Sequence, residues 1–340
     1  MLKTLKIENF RGFKSFELQQ LGRVNLLVGV NNSGKTSILE AIQMLYSQAS
    51  IVPFDRIMME RGEYFLSYVN SNNVEQELDV CHLFYGREIK EDGKFLISGI
   101  NDYIQQKLVV EITSGSISIE DISGGNSEAD VMSNELARFG LSVKWTHGNS
   151  QERHYQRPLS PHGGLSHTYA SDWSIINQKS TKKTQLITSS SSLTIEMMTK
   201  LFENVVLTPE EKLVYEALQT IEPRIERIAS VSSSSRRYIY PGSRGGFVVR
   251  LSDSEQRVPI GSLGDGIWRM LGLALAIVSV KGGVLLVDEI DTGLHFTTLS
   301  DMWKLIWETA KKLDVQVFAT THNSDCWTSL ATIASQEDAA

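Results

Sequence analysis

The sequence predicts an α/β fold in which strands alternate with helices, and two regions indicate it. Near the N-terminus, the apolar run from Val24 to Val28 precedes a glycine-rich turn and then apolar residues at helical spacing. Near the C-terminus, apolar runs at 284–287 and 315–318 flank an amphipathic segment at 299–313. Buried parallel strands are apolar almost throughout, so these runs favour a parallel sheet covered by helices.

Local patterns predict the remaining elements. The first eighteen residues indicate two strands joined at Arg11-Gly12, and residues 77–112 indicate further strands, with Asp92-Gly93 as a hairpin candidate. Pro209, with Thr208 before it as the capping residue, predicts the start of a helix. The other predicted elements are that helix over 209–227, a strand at 247–251 and a buried helix at 268–280.

Composition and charge limit the class of protein. The chain has 340 residues, of which 41% are hydrophobic and 21% charged, and these proportions exclude a disordered chain. The net charge of -7 excludes a globally basic nucleic-acid coat but leaves room for a local basic patch. Two cysteines, Cys81 and Cys326, exclude a disulfide framework and a four-cysteine zinc site. The longest apolar stretch, 271–280, is too short to span a bilayer, so we expect a soluble cytoplasmic protein.

The middle of the chain differs in character from both ends. Acidic residues outnumber basic ones in 115–143, basic residues outnumber acidic ones in 144–183, and a serine run follows at 189–192. We expect roughly 118–200 to hold little regular structure. The predicted division is an N-terminal lobe at 1–117, an insertion at 118–224 that is partly mobile and partly helical, and a C-terminal lobe at 225–340.

The strongest functional signal is the segment from Gly29 to Thr36, which matches the phosphate-binding motif G-x-x-x-x-G-K-[ST] in full. In such a loop the backbone N–H groups and the helix N-terminus bind phosphate. Lys35 is expected to reach the β- and γ-phosphates and Thr36 to bind Mg²⁺. The alternative, a plain glycine turn, is disfavoured by the flanking strand and helix. The residues expected to contact ATP are Gly29, Asn31, Asn32, Ser33, Gly34, Lys35, Thr36 and Ser37.

Acidic and histidine side chains follow the two C-terminal strands. Asp288 and Glu289 come directly after the run at 284–287, at the strand end where α/β sheets place their ligands. Asp288 is expected to hold Mg²⁺ through water and Glu289 to act as general base toward the attacking water. His322 is positioned to sense a γ-phosphate. A solvated strand end and a loop histidine are the alternatives.

The loop from Gly261 to Gly266 opens the apolar helix and offers a second anion site, because small residues and a hydroxyl stand at a helix start. The alternative is an ordinary capping loop, with Ser262 or Asp265 as the cap. One phosphate-binding loop and one such second site in the same chain suggest that ATP is held between two protomers.

Taken together, these motifs resemble those of an ABC-type ATPase head of the SMC, RecF and OLD group. The likeness covers roughly 1–50 and 225–335 and extends to stand-alone or operon-partnered bacterial ATPases of anti-phage loci. It implies an α/β head with a mixed central sheet, an antiparallel β subdomain and an inserted subdomain between two lobes. The segments that carry it are the opening strand and turn at 7–13, the signature loop at 262–266, the Walker B and D-loop at 288–295, and the switch histidine at 321–322.

The resemblance implies a homodimer that sandwiches two ATP molecules with Mg²⁺. Asp291 would couple the two sites across the interface, and Lys35, Glu289 and His322 would serve catalysis. Arg11 is a further candidate for nucleotide contact, with a surface arginine as the alternative. The residues implied to act on the partner's nucleotide are Ser262, Gly264, Asp265 and Gly266. The Mg²⁺-sensing glutamine is not placed by the motifs, and Gln105 and Gln106 are candidates by position.

The sequence differs from this group in two respects, and both reduce the number of functions that we expect. No heptads are sustained over several turns, which argues against a long-armed SMC protein. The segment after His322 is too short for the nuclease domain of OLD proteins. We therefore expect an ATPase that switches a DNA-related or antiviral defence effector, such as a nuclease on another chain. The alternatives are an ATP-dependent scaffold with negligible turnover that holds a partner, and a RecF-like DNA-repair ATPase.

Three clusters invite other interpretations. Four histidines suggest either a zinc site or a polar loop: His147, His154, His162 and His167. The basic stretch at 144–183 contains aromatic residues and suggests either nucleic-acid contact or a solvated loop: Trp145, Tyr155, Tyr169 and Trp173. A second basic cluster has the same two interpretations: Arg236, Arg237, Arg244 and Arg250, with Tyr238 and Tyr240.

Overall fold

The structure of the protein is a computed structural model that describes residues 1–70, 73–114, 139–148, 151–166, 183–188, 194–231 and 246–337. The chain forms two compact units, the first from 1–22 and 36–181, the second from 23–35 and 182–340. These boundaries differ from those of the three predicted segments because the strand before the phosphate-binding loop pairs with a C-terminal strand. Among the described helices, none is long and apolar enough to cross a membrane.

The described elements follow one another as strands and helices with short connections. In chain order they are β1 (Leu2–Phe10), β2 (Phe13–Leu18), β3 (Val24–Val28), α1 (Lys35–Tyr46), α2 (Val52–Arg61), β4 (Tyr64–Asn70), β5 (Asn73–Asp79), a 3-10 turn (Val80–Leu83), β6 (Lys94–Asn101), β7 (Ile104–Ser114), β8 (Phe139–His147), β9 (Gln151–Pro158), β10 (Gly164–Ser166), β11 (Thr184–Ile187), α3 (Ile195–Val205), α4 (Glu211–Gln219), β12 (Ile225–Ser230), β13 (Phe247–Leu251), β14 (Arg257–Pro259), a 3-10 turn (Ile260–Leu263), α5 (Asp265–Ser279), β15 (Val284–Val287), a 3-10 turn (Phe296–Thr298), α6 (Leu299–Leu313), β16 (Gln316–Thr321) and α7 (Ser324–Glu337).

The first unit is built on an antiparallel sheet of the order β2-β1-β6-β7-β8-β9, with a smaller sheet of the order β10-β5-β4. The tight hairpin between β6 and β7 turns at Asp102 and Tyr103, whose φ angles of 45° and 76° are both left-handed, as a two-residue hairpin turn requires. The hairpin predicted at Asp92-Gly93 is therefore wrong. That dipeptide instead forms a turn in which the Gly93 N–H donates to the Lys90 carbonyl before β6 begins.

Strands β8 and β9 lie inside the segment predicted to hold little regular structure, so that prediction is wrong for its described part. They extend the antiparallel sheet, and Lys144 pairs with Glu152 at 2.7 Å on neighbouring strands. Trp145 is 2% exposed, and its indole N–H donates to the Leu45 carbonyl of α1 at 3.0 Å. Trp145 is thus a core residue and is unavailable for stacking on a base. Tyr169, Trp173 and the serine run at 189–192 lie outside the described residues.

The second unit contains a parallel sheet of the order β11-β15-β16-β3 and a separate antiparallel sheet of the order β12-β13-β14. In the described part of the chain, parallel and antiparallel strands therefore occupy different sheets. Helices α5 and α6 supply much of the apolar core of this unit. The strand predicted at 315–318 runs on to Thr321 as β16, and this extra length carries it to the functional edge described below.

The helices before β12 differ from the prediction in two ways. The predicted helix over 209–227 is α4, which ends at Gln219 because the chain enters β12 at Ile225. Thr208 does not cap it, since the Thr208 hydroxyl donates to the Val205 carbonyl of the preceding helix. That preceding helix, α3, was not predicted. It is capped by Thr194, whose hydroxyl accepts a hydrogen bond from the Met197 N–H at 3.3 Å.

We expect Trp145→Ala to lower the free energy of unfolding by about 3–5 kcal/mol, because it leaves a large cavity and an unpaired Leu45 carbonyl. Tyr103→Ala is the matched control, because Tyr103 is fully exposed at a hairpin turn and its loss is expected to change stability by no more than about 0.5 kcal/mol. Chemical denaturation followed by circular dichroism measures both. Equal stability of the two variants would show that Trp145 is not part of the core.

Candidate functional site

The parallel sheet brings three predicted motifs to one edge. Strand β16 lies between β15 and β3, with Thr321 opposite Val28 and Ala319 opposite Val287. The phosphate-binding loop therefore leaves β3 beside the point where His322 leaves β16, and Asp288 follows β15 on the other side. Ligands of open α/β sheets bind at this carboxyl edge.

The phosphate-binding loop has the backbone that its glycines and asparagines permit. Asn32 and Gly34 have left-handed φ angles of 61° and 90°. A Cβ added at Gly29 would stand 2.9 Å from the Ser33 hydroxyl, so this position requires glycine unless Ser33 moves. Helix α1 begins at Lys35, so its N-terminal N–H groups follow the loop directly. The Lys35 ammonium donates to the carbonyls of Gly29 at 2.7 Å and Val30 at 2.9 Å, which holds it within the loop.

The buried hydroxyl of Thr320 organises the two acidic residues after β15. It donates to Oδ1 of Asp288 at 2.5 Å and accepts from the Glu289 N–H at 2.8 Å. The Thr320 carbonyl also accepts from the Ile290 N–H at 3.0 Å. The Asp288 carboxylate is buried and oriented by this contact, which suits an oxygen ligand for Mg²⁺. Sequence reasoning gave Thr320 no role, although a hydroxyl residue beside the predicted histidine was the available signal.

Glu289 has a left-handed φ of 48°, which is strained for a residue with a side chain. Its carboxylate is partly exposed, and the Thr292 hydroxyl donates to it at 3.4 Å. His322 is 52% exposed, and its Nδ1 lies 4.0 Å from Oε1 of Glu289. The fold thus brings together the predicted general base and the predicted γ-phosphate sensor, and both face solvent from the carboxyl edge of the sheet.

Arg269 of α5 is a site residue that sequence reasoning missed. It is 5% exposed, and its Nη2 donates to the Glu289 carbonyl at 3.0 Å and, more weakly, to the Asp288 carbonyl at 3.4 Å. Burial lowers the pKa of the Arg269 guanidinium, while the carboxylates of Asp291, Asp288 and Glu289 oppose that shift. Arginine keeps its proton in proteins, so a buried cation lies behind the acidic loop. The sequence feature that could have indicated Arg269 is a single arginine within a mostly apolar helix.

Asp291 is tied to the same strand end. The Thr321 hydroxyl donates to Oδ1 of Asp291 at 2.7 Å and accepts from the Asn323 N–H at 3.0 Å. The predicted D-loop residue is therefore linked to the residue that immediately precedes His322. A change in the position of either one is transmitted to the other through a single side-chain contact.

The predicted signature loop at 262–266 covers the end of the 3-10 turn Ile260–Leu263, then Gly264 with a positive φ of 95°, and the first two residues of α5. Gly264 is the N-cap of α5, so no side chain caps this helix. The alternative interpretation required Ser262 or Asp265 to be the N-cap, and neither residue is. Ser262, Gly264 and Asp265 are exposed, and Gly266 lies in the first turn of the helix.

Arg11 is not a surface residue. Its side chain is 6% exposed, its Nε lies 2.6 Å from Oε2 of Glu40, and its Nη1 donates to Glu63 at 2.7 Å. Arg61, which is exposed, also pairs with Glu40 at 2.6 Å, so the buried Glu40 carboxylate is shared by two arginines in the first unit. The nucleotide contact of Arg11 stays a prediction. Gln105 and Gln106, the two candidates for the Mg²⁺-sensing glutamine, lie within β7.

The remaining clusters show few signs of function where the structure describes them. His154 contacts the Ser142 hydroxyl at 2.9 Å, and no metal-ligand group among the described residues includes His147, His154 or His162. Arg250 pairs with Glu226 at 2.9 Å. The other members of these clusters lie outside the described residues: His167, Arg236, Arg237, Tyr238, Tyr240 and Arg244.

Comparisons with known proteins agree with the predicted resemblance. An ATP/GTP phosphatase from Helicobacter pylori is 21% identical over 342 residues, which cover 96% of this chain and 86% of that protein. The DNA replication and repair protein RecF from Clostridioides difficile is 54% identical over 44 residues, which cover 13% of this chain and 12% of that protein. An SMC head bound to the C-winged helix domain of ScpA aligns over 96% of this chain and 92% of its own, at 12% identity and a TM-score of 0.48.

The family profile described as "AAA ATPase domain" matches residues 1–326 and so includes every motif at the carboxyl edge. The predicted ATPase domain is thereby confirmed, and the local match to RecF agrees with the predicted resemblance. The chain belongs to the AAA ATPase domain family and is an ATPase.

Proposed function

We propose that the chain hydrolyses ATP with Mg²⁺ as a dimer in which each ATP is bound by the phosphate-binding loop of one subunit and the signature loop of the other. The observation that carries the proposal is the adjacency of β3, β16 and β15. These three neighbouring strands end in the phosphate-binding loop, in His322, and in Asp288 and Glu289 respectively.

Each group at this edge has a chemical task in the proposal. Lys35 and the N-terminus of α1 neutralise the β- and γ-phosphates. The donor set for a cation is the Thr36 hydroxyl and the buried Asp288 carboxylate, hard oxygen ligands of the kind that Mg²⁺ prefers. Mg²⁺, when bound, supplies charge neutralisation on the phosphate oxygens. Glu289 accepts a proton from the attacking water, and His322 donates a hydrogen bond to the γ-phosphate.

The dimer is supported by the exposure of the signature loop. Ser262 and Gly264 face solvent beside the N-terminus of α5, the end of a helix that favours an anion. Each chain has one phosphate-binding loop and one signature loop, so a two-fold dimer would complete two equivalent sites.

The ATP cycle is proposed to switch a separate effector protein in DNA repair or antiviral defence. The local relative RecF is named a DNA replication and repair protein, which supports a role connected with DNA. A nuclease on another chain is the effector that the resemblance suggests, and direct DNA contact by this chain is part of the same proposal.

Arg269 is proposed as a positioning residue for Glu289. Its guanidinium holds two successive carbonyls of the acidic loop, while Thr320 holds the Glu289 N–H on the adjacent strand. These contacts keep the strained backbone of Glu289 in one conformation. Because Arg269 stands one turn after the signature loop on α5, a shift of that helix would be passed to Glu289.

We expect Glu289→Gln to lower kcat for ATP hydrolysis by about 10²–10⁴-fold, because the amide cannot accept a proton from water. ATP binding should be retained, and ATP-dependent dimers should accumulate in analytical ultracentrifugation. Glu308→Gln, an exposed position on α6, is the matched control. Turnover by Glu289→Gln at the wild-type rate would contradict its role as general base.

Action in trans is tested by mixing two inactive variants. Lys35→Ala should weaken ATP binding by at least about tenfold through loss of charge-assisted contacts, and Ser262→Arg should block the signature loop. Each variant alone should hydrolyse ATP poorly. In a mixed dimer, one site has a wild-type phosphate-binding loop facing a wild-type signature loop. Mixing should therefore restore turnover, and no recovery would argue against a site shared between subunits.

We expect Arg269→Met to lower kcat by about 10–100-fold, the effect of losing one or two charge-assisted hydrogen bonds that hold the catalytic loop. KM should stay within about threefold, because Arg269 does not contact nucleotide in the proposed mechanism. Arg269→Lys keeps the charge and should retain more activity than the Met variant. Steady-state kinetics on samples matched for melting temperature separate this role from simple loss of folding, and an unchanged kcat in Arg269→Met would contradict it.

A further inference from the structure

Three side chains with different donor atoms converge at the end of β5 in the first unit, and none of the three is assigned to ATP. Asp79 ends the strand, and Cys81 and His82 lie in the 3-10 turn that follows. A carboxylate oxygen, the thiol sulfur and an imidazole nitrogen all lie within 4.8 Å of one another. We propose that Asp79, Cys81 and His82 bind one zinc ion, with water in the fourth position.

The spacing of the donor atoms fits a tetrahedral zinc ion. Nε2 of His82 lies 3.3 Å from Oδ2 of Asp79. Nitrogen and oxygen ligands lie about 2.0–2.1 Å from zinc, so two of them at a tetrahedral angle are about 3.3 Å apart. The imidazole and the carboxylate therefore already stand at the separation that a shared zinc ion requires, and zinc binding needs little rearrangement of these two groups.

The backbone that carries the three donors is fixed on both sides. The Asp79 N–H donates to the Glu63 carbonyl at 3.0 Å, and the Arg11 N–H donates to the Leu83 carbonyl at 2.9 Å. Val80 and Leu83 are fully buried and anchor the turn in the core. Because the scaffold is already ordered, zinc binding does not have to offset the entropy of folding the turn.

The charges around the thiol favour a cation. Burial, the hydrogen bond to Asp79 and the negative charges of Asp79 and Glu63 together raise the pKa of Cys81 to about 12, against an opposing effect of Arg87. The same carboxylates attract a metal ion, and zinc binding would release the thiol proton. The Asp79 carboxylate faces both the His82 imidazole and the Cys81 thiol, so one acidic side chain brings the three donor groups together.

The donor types select zinc over the cation of the ATPase site. Sulfur and imidazole nitrogen are poor ligands for Mg²⁺ and Ca²⁺ and good ligands for zinc and its neighbours in the first transition row. Three protein ligands with an open position are typical of zinc sites that retain a water molecule. The three residues are half-buried, so solvent can reach the fourth position.

Cobalt(II) titration of the full chain, first treated with a chelator and kept free of nucleotide, tests the site. A thiolate-bound cobalt ion gives an intense ligand-to-metal absorption in the near ultraviolet, and the proposal expects this band to saturate at one cobalt per chain and to be displaced by zinc. The chain has only two cysteines, so the variants are decisive. Cys81→Ser should abolish the band, and Cys326→Ser should retain it.

Histidine and aspartate variants cover the case in which Cys81→Ser does not fold. His82→Ala and Asp79→Asn should each weaken zinc binding by at least about tenfold, the loss that removal of a direct ligand or its close partner produces. His162→Ala, an exposed histidine in the same unit, should bind zinc as the wild type does. The proposal would be overturned if the wild type gave no thiolate band, if the band persisted in Cys81→Ser, or if it were lost in Cys326→Ser. Equal zinc affinity in His82→Ala and His162→Ala would also overturn it. None of these readouts depends on ATP hydrolysis.

Discussion

The parallel pairing of β16 with both of its neighbours is the constraint on which the rest of the ATPase site depends. In the register observed, Thr321 stands opposite Val28 and Ala319 opposite Val287. A slip of one residue would turn the buried Thr320 hydroxyl to the other face of the sheet. It would then leave both the Asp288 carboxylate and the Glu289 N–H, and His322 would shift away from the phosphate-binding loop. One strand register therefore sets the relative positions of the groups proposed to bind phosphate and Mg²⁺ and to activate water.

The strained backbone of Glu289 is held in place by contacts that depend on this register. A left-handed conformation costs about 1–3 kcal/mol for a residue with a side chain. The contacts from Thr320 and Arg269 each contribute on the order of 1 kcal/mol, and more where the donor is charged, so together they offset the strain. Because the two donors come from β16 and α5, the conformation of Glu289 depends on both elements. This is the physical basis for expecting nucleotide at either loop to influence the general base.

The sequence predicted the groups that belong to short contiguous patterns and missed the groups that depend on tertiary contact. The phosphate-binding loop and the acidic strand end are local, so the sequence alone could indicate Lys35 and Asp288 as candidates. Arg269 was not assigned and Trp145 was interpreted as part of a stacking surface or a loop, because the carbonyls that they contact belong to residues distant in the chain. Strand β8 was hidden for a related reason. Four consecutive residues from Gly140 to Val143 are buried, so it lacks the simple alternation of a half-exposed strand.

The free energies of the Arg11 ion pairs limit the role that a motif resemblance can assign to this residue. To reach a nucleotide, its guanidinium would have to leave Glu40 and Glu63, and breaking a buried ion pair costs about 3–5 kcal/mol. A hydrogen bond between charged groups contributes about 1.5–3 kcal/mol, so a single phosphate contact does not compensate. Glu40 lies on α1, the helix that begins at Lys35. In this conformation Arg11 therefore anchors α1 through Glu40, and direct nucleotide contact would require a second source of charge for Glu40 and Glu63.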